Sequence, residues 1–502
     1  MLWAAVCVVA LVLLAGCGGS EDADRPSLAE IVPSDAPLYG EFVLRPAGPD
    51  GRALRRFAGT VLGTGTAARD DLAELAVDAL RLDLDFERDV APWLGERAGF
   101  FLLDLGSSTT GALLVETTDP RRAARGVRRA TGVRGAVERI PGGTYWRTSG
   151  DGVAGLVHDR VVVAGSAAVI RASARAGAQR SLAGTKRYRE AAAQMNGRRP
   201  AAYVVSARGD TLEDLLGFLR LPPAERRLLL SAIDPTQALT LRADVTATDA
   251  VVEVLGLRAP GPAAPPIEGL PAAAWLAISS GNLGETLTTG LTAGGPAIAL
   301  RRLTLTPFPQ GTLRGLGRGS LHLQGGEGVV AAEGEIEAGV RDPMTVAKGV
   351  EQLARRLRAS RLFDVELTRY RGELGLVAEP KRYPRAGGGL EVAFQRDEIT
   401  VFFGGIVSAN ALGETRAYRR AARVLGGPPT TLLRMRPFAR ALGATGDLGF
   451  AARIDIVAAE EKRLPGGGLL QRFMVGLNPD APPGSPPEGQ EPASEPASAS
   501  WR

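Results

Sequence analysis

The sequence predicts an α+β protein built as two tandem, related domains, with antiparallel sheets that carry helices packed on one face. Three observations predict it. Strand-like segments come in hairpin pairs rather than in strict alternation with helices. A Pro-rich break at 259–266 (APGPAAPP) divides the chain near its middle. The segments on either side of that break match one another in the same order, as an internal duplication would require.

The matches begin with a proline-led approach to a short apolar strand, VPSDAPLYGEFVL at 32–44 and EGLPAAAWLAIS at 268–279. WLGERAGFFLLDL (93–105) then answers to GLGRGSLHLQG (315–325). After a further strand each half reaches Asp-Pro, at Asp119-Pro120 and Asp342-Pro343. An aspartate can cap the free N–H groups of a helix start, and proline suits the first helical position, so two helices start at matching places. Hairpins with polar turns at Asp159 and Asp397 follow (152–165 and 389–405). Next, 182–206 lies over 412–435, sharing Thr-basic-x-Tyr-Arg-x-Ala-Ala from Thr185 and from Thr415. Closing hairpins are expected at 236–258 and from 447 onward, where Leu239, Leu241 and Ala243 alternate with polar residues as in a half-buried strand.

The N-terminus carries an address. From Leu2 to Leu14 every residue is apolar, a run of about 20 Å as a helix and too short for the roughly 30 Å core of a bilayer. It reads as the h-region of a signal peptide, although Met-Leu-Trp lacks the usual basic residue. Leu14-Ala15-Gly16-Cys17 then resembles the bacterial lipobox, which implies cleavage before Cys17 and acylation of its thiol. Several acyl chains make such an anchor durable where one would not. The expected organisation is a signal peptide at 1–16, the lipidated Cys17 and a polar tether at 17–27, a first domain at 28–258, the linker at 259–266, a second domain at 267–477 and a disordered Pro/Ser/Glu-rich tail at 478–502.

Of the two cysteines, Cys7 lies within the signal segment, so the mature chain has no pair for a disulfide. With 45% hydrophobic residues in a chain of 502, packing alone must carry the stability of more than one core. The formal charge of +5 is small for this length.

PSDAPLYGEFVLRP near the mature N-terminus, DFERDVAPWLGERAGFFLL (85–103) with its Pro92-Trp93-Leu94-Gly95, the Asp-Pro helix and the LVHDRVVVAG hairpin together resemble domain-of-unknown-function family 3352. These are uncharacterised bacterial proteins often found as lipoproteins or membrane-anchored proteins of actinobacteria. The resemblance spans about 28–440 and implies a location and an architecture. It brings no catalytic residue, substrate or cofactor.

The residues themselves offer little chemistry. The two histidines are His158, in a predicted turn, and His322, in a strand pattern, and neither lies near a G-x-S-x-G elbow, a free thiol or a zinc spacing. The alternating acids Asp83, Asp85, Glu87 and Asp89 suit Ca²⁺ by oxygen chemistry, but an EF-hand loop from Asp83 would place Arg88 and Leu94 where Gly and a bidentate acid are needed. Three arginine clusters stand out, the first being Arg121, Arg122, Arg125, Arg128 and Arg129, with others at Arg355, Arg356, Arg358 and Arg361 and at Arg416, Arg419, Arg420 and Arg423. They read as solvated helix faces; as a binding surface, the first would meet anionic headgroups or envelope polymers rather than nucleic acid, which an extracytoplasmic location argues against. Trp93 is expected to be a packing anchor.

The expected function is that of a non-enzymatic envelope lipoprotein with a binding or structural role, needing no cofactor and no metal, held by its lipid at the outer face of the cytoplasmic membrane. Two other classes stay open: a carrier of an apolar or glycolipid ligand between the two halves, and a carboxylate-dependent hydrolase. A filled interior and a flat junction between the halves would favour the non-enzymatic lipoprotein, a large apolar cavity lined by both halves the carrier, and an acid pair about 5 to 10 Å apart in an open cleft the hydrolase.

Overall fold

The computed structural model describes residues 27–43, 86–104, 110–130, 137–147, 153–194, 202–204, 237–259, 261–292, 310–325, 333–370, 373–381, 389–404, 410–441, 453–464 and 468–478, with a few isolated positions between them. The signal segment, Cys17, Asp83, Asp85 and nearly all of the C-terminal tail lie outside the described residues.

The architecture is α+β with antiparallel strands throughout. In chain order the first half has β1 (Leu38–Val43), β2 (Leu94–Asp104), β3 (Thr110–Thr117), α1 (Pro120–Ala130), β4 (Val137–Ile140), β5 (Gly143–Arg147), β6 (Val153–Val157), β7 (Val161–Gly165), α2 (Ala167–Gln179), α3 (Lys186–Gln194), β8 (Ala202–Val204), β9 (Leu239–Val245) and β10 (Asp249–Leu257). The second has β11 (Leu276–Ser280), α4 (Leu283–Thr292), α5 (Gln310–Arg314), β12 (Leu316–Gln324), β13 (Glu333–Val340), α6 (Pro343–Ser360), β14 (Phe363–Tyr370), β15 (Glu373–Pro380), β16 (Leu390–Phe394), β17 (Glu398–Phe403), α7 (Arg416–Leu425), β18 (Thr431–Arg434), α8 (Met435–Ala441), β19 (Ile454–Arg463) and β20 (Leu469–Leu477).

Pairing links these strands into one ladder. From one end it runs β4, β5, β6, β7, β3, β2, β1, β8, β9, β10. From the other it runs β14, β15, β16, β17, β13, β12, β11, β18, β19, β20. The two runs meet where β10 pairs with β20. Each strand of the first run thus has its topological match ten places on in the second.

Local chemistry sets the helix starts. Asp119 Oδ1 accepts from Arg122 N at 2.9 Å, and Asp342 Oδ1 from Thr345 N at 3.0 Å, with Pro120 and Pro343 as first residues. Thr185 and Thr415 accept from Tyr188 N and Tyr418 N, three residues on. Ahead of β1 and β11, single bridges tie Pro33 to Ser181 and Pro271 to Ala411. The turn between β6 and β7 places His158 and Asp159 both at φ 51°, the left-handed pair of a type I′ turn that matches strand twist.

The helices do not keep to one face, which corrects the expected arrangement. Val161 and Val163 of β7 pack with Val169 and Ile170 of α2, whereas Val162 between them packs with Ala123 and Val127 of α1. In the second half Ala277 lies under Tyr418 and Ala421 of α7, and its neighbour Leu276 lies in the core built by Val346, Val350 and Leu353 of α6. Successive side chains of a strand point to opposite faces, so apolar runs such as VAGLV in β6 demand cover on both. Trp93 is buried between β2 and α1, its indole N–H donated to the Asp89 carbonyl. Gly126 makes room for it, since a Cβ there would stand 2.7 Å from Trp93 Nε1.

Candidate functional site

The five predicted arginines of α1 occupy its exposed side, opposite Ala123 and Val127. Arg122 pairs with Asp119 at 3.3 Å. Arg129, together with Arg88, pairs with the buried carboxylate of Asp89. Those hydrogen bonds, Arg88's first, hold Asp89 down to about 2. The one member of the acidic run whose side chain is described is therefore a structural ion-pair partner. In the third cluster Arg420 turns inward, to Asp249 at 2.8 Å and Asp455 at 3.2 Å, and pins α7 to the strands beneath it.

Where the halves meet, Arg242, Glu253, Arg472 and Glu460 stand directly opposite one another on β9, β10, β20 and β19. Arg472 is buried; its Nε donates to Glu253 at 2.8 Å, and its Nη1 donates to Glu460 at 3.3 Å and to the Leu425 carbonyl at the end of α7 at 2.7 Å. Alternating charge fills this junction with paired groups. Burial still raises the Glu460 carboxyl above its usual range.

The most unusual surface lies at the outer part of the second half. β13 to β17 bury one face against α6 through Ile336, Leu376, Val392 and Val401. The other face carries Glu333, Glu335 and Glu337 of β13, Glu398 of β17, Glu391 of β16, Glu373 and Glu379 of β15, and Asp364 and Glu366 of β14. All nine are exposed or half-buried. Asp364 stands directly opposite Glu379, a like-charge pair that opposes strand pairing, with Lys381 beside Asp364 at 3.2 Å. Tyr370 and Val377 add exposed apolar area. Among the described residues no helix lies over this face.

His322 and Gln324 close its inner end, directly opposite Glu335 and Glu333. They are 1% and 2% exposed, and neither His322 Nε2 nor Gln324 Oε1 has a hydrogen-bond partner. Burial lowers the imidazole to about 4, so the ring is neutral at pH 7. Burial and then Glu337 raise Glu335. Among the described residues no group of three or more His, Cys, Asp or Glu could hold a metal ion, and no helix is long and apolar enough to cross a membrane.

The sequence reading missed this face. The signal was present in EGEIEA (333–338), FDVEL (363–367), ELGLVAE (373–379) and LEVAF (390–394), where carboxylates alternate with apolar residues at period two. His158 is exposed in its turn, as read.

No protein-family model matches the chain, and no curated relative does. Among solved structures, one described as crystal form I of TP0453 is similar at 11% identity, over 76% of this chain and 93% of that one, with a TM-score of 0.18. A likeness at that TM-score carries no argument about fold or role.

Proposed function

We propose that the chain is a non-catalytic, lipid-anchored protein of the cell envelope, held through Cys17 at the outer face of the cytoplasmic membrane, whose folded part is a two-repeat binding scaffold. The observation that carries the binding role is the acidic sheet face of β13 to β17, where nine exposed or half-buried carboxylates share one surface with no helix over it among the described residues. The repeat reading is supported by a ladder with one strand order from either end and by matching helix caps at Asp119 and Asp342. A carrier would need a cleft between the halves. Hydrogen-bonded strands and the ion-paired row of Glu253 and Arg472 occupy that junction, which supports the scaffold instead. The exposed arginines of α1 suit anionic headgroups or envelope polymers, and the acidic face would be repelled by them.

The anchor is tested with Cys17→Ser. Acyl labelling is expected to vanish and the membrane fraction to fall sharply. Labelling of the variant at the wild-type level would overturn the lipoprotein reading.

A further inference from the structure

We propose that the uncovered acidic face of β13 to β17 docks a basic amphipathic helix of a partner protein, in the position that α2 occupies on the first half.

The chain supplies the template for this occupant. On the first half the topologically matching face, formed by β3, β7, β6 and β5, is covered by α2, whose Val169 and Ile170 pack on Val161, Val163 and Tyr145. A cation of that helix also docks there, since Arg171 bonds Glu138 at 2.8 Å and lies over the Tyr145 ring at 5.4 Å. Sixteen residues separate β7 from the next matched turn at Leu182, room for the 13 residues of α2. Eight separate β17 from the corresponding turn at Leu412, so the second half has no length for such a helix.

The chemistry of the exposed face selects the sign of the occupant. Its carboxylates only accept hydrogen bonds, and so does the unpartnered Gln324 Oε1 at its inner end. A neutral imidazole also keeps one acceptor nitrogen. Acceptors this numerous, with no metal-binding group among the described residues, call for a ligand with many spaced donors. Arginine or lysine side chains at helical spacing provide them, while Tyr370 and Val377 give the stems of those side chains an apolar footing. Nucleic acid and anionic lipid have the wrong sign.

The inference rests on the reading of the folded part as a binding scaffold, and it is tested apart from the anchor by titrating the full-length protein in detergent. The probe is a labelled 13-residue amphipathic peptide with arginines along one face, beside an analogue with glutamine in place of arginine. We expect saturable binding of the arginine peptide, weakened about tenfold or more in a Glu366→Gln, Glu373→Gln, Glu379→Gln, Glu391→Gln variant and by salt raised from about 0.05 to about 0.3 M. An off-face control, Glu190→Gln with Glu414→Gln, should bind as the wild type. Equal binding by all three proteins, equal binding of the glutamine peptide, or no binding of the arginine peptide would each overturn the proposal. So would self-association abolished by Arg121→Gln with Arg125→Gln, which would make a second copy the occupant. Thermal melting of the four-site variant at or above the wild-type temperature is expected, because one opposed acidic pair is removed.

Discussion

The outer sheets of the two halves share a strand order and differ in what their second face carries. β6 of the first half, Val153–Val157, is buried at all five positions, under α1 on one side and α2 on the other. Its match β16, Leu390–Phe394, buries Val392 and Phe394 but exposes Glu391 and Ala393. The same substitution of acid for aliphatic recurs along the sheet. Leu114 lies between Gly99 and Val163, and Glu337 lies between Ser320 and Thr400. A strand order can therefore be kept while one layer of the fold is removed, provided the uncovered face becomes polar. Cross-strand side-chain pairs change the stability of the ladder by only about 0.2–1 kcal/mol each, whereas burying an unpaired polar or charged group costs several times that.

The largest effect should come from exchanging the two patterns. Leu114→Glu places a carboxylate at a site with no exposure, beneath α2. It should cost about 3–5 kcal/mol or unfold the first half, since an uncompensated buried charge costs that much. The reverse exchange, Glu337→Leu on the exposed face, should change stability by less than about 0.5 kcal/mol and raise aggregation instead. Chemical denaturation of both variants measures the difference, and comparable losses would break the comparison.

A second test uses the matched positions Phe101 and His322, which face Tyr39 and Ala277. The imidazole is lowered by burial to about 4, below an unfolded value of about 6.5. The unfolded chain therefore takes up the proton first as pH falls. Stability is full above about pH 6.5 and should decline toward pH 4, by on the order of 3 kcal/mol in all. His322→Phe, which copies the first half, should flatten that slope in a pH series of thermal melts. A slope that persists unchanged would assign it to other groups.

The smallest effect is expected on α1. Arg121→Gln with Arg125→Gln alters exposed side chains on a helix held from beneath by Ala123 and Val127. Stability should move by less than about 0.5 kcal/mol, while attachment to vesicles containing anionic lipid should weaken. A large loss of stability would show that these arginines, unlike those facing solvent in a simple helix stripe, hold the fold together.

Much of this architecture was legible in the sequence because its signals are local. Asp119-Pro120 and Asp342-Pro343 cap helices through bonds that span three residues, and the polar turns at Asp159 and Asp397 join strands that are neighbours in the chain. Trp93 also met its expectation, because a large ring before a core strand has few places to go but inward.

Other features depended on which distant strands became neighbours. That helices cover both faces follows from pairing β3 with β7, strands separated by α1 and the β4 to β6 meander, and from α2 folding back over them. The row of Arg242, Glu253, Arg472 and Glu460 unites residues up to 230 positions apart, and no spacing rule connects them. The acidic face had its own sequence signal in alternating carboxylates, but alternation says only that one side of a strand is polar. Whether nine such groups on five strands form one surface, and whether a helix covers it, was decided by register and by the eight residues left between β17 and Leu412. Local chemistry is set by neighbours in the chain; surfaces are set by neighbours in space, and only the assembled sheet supplies those.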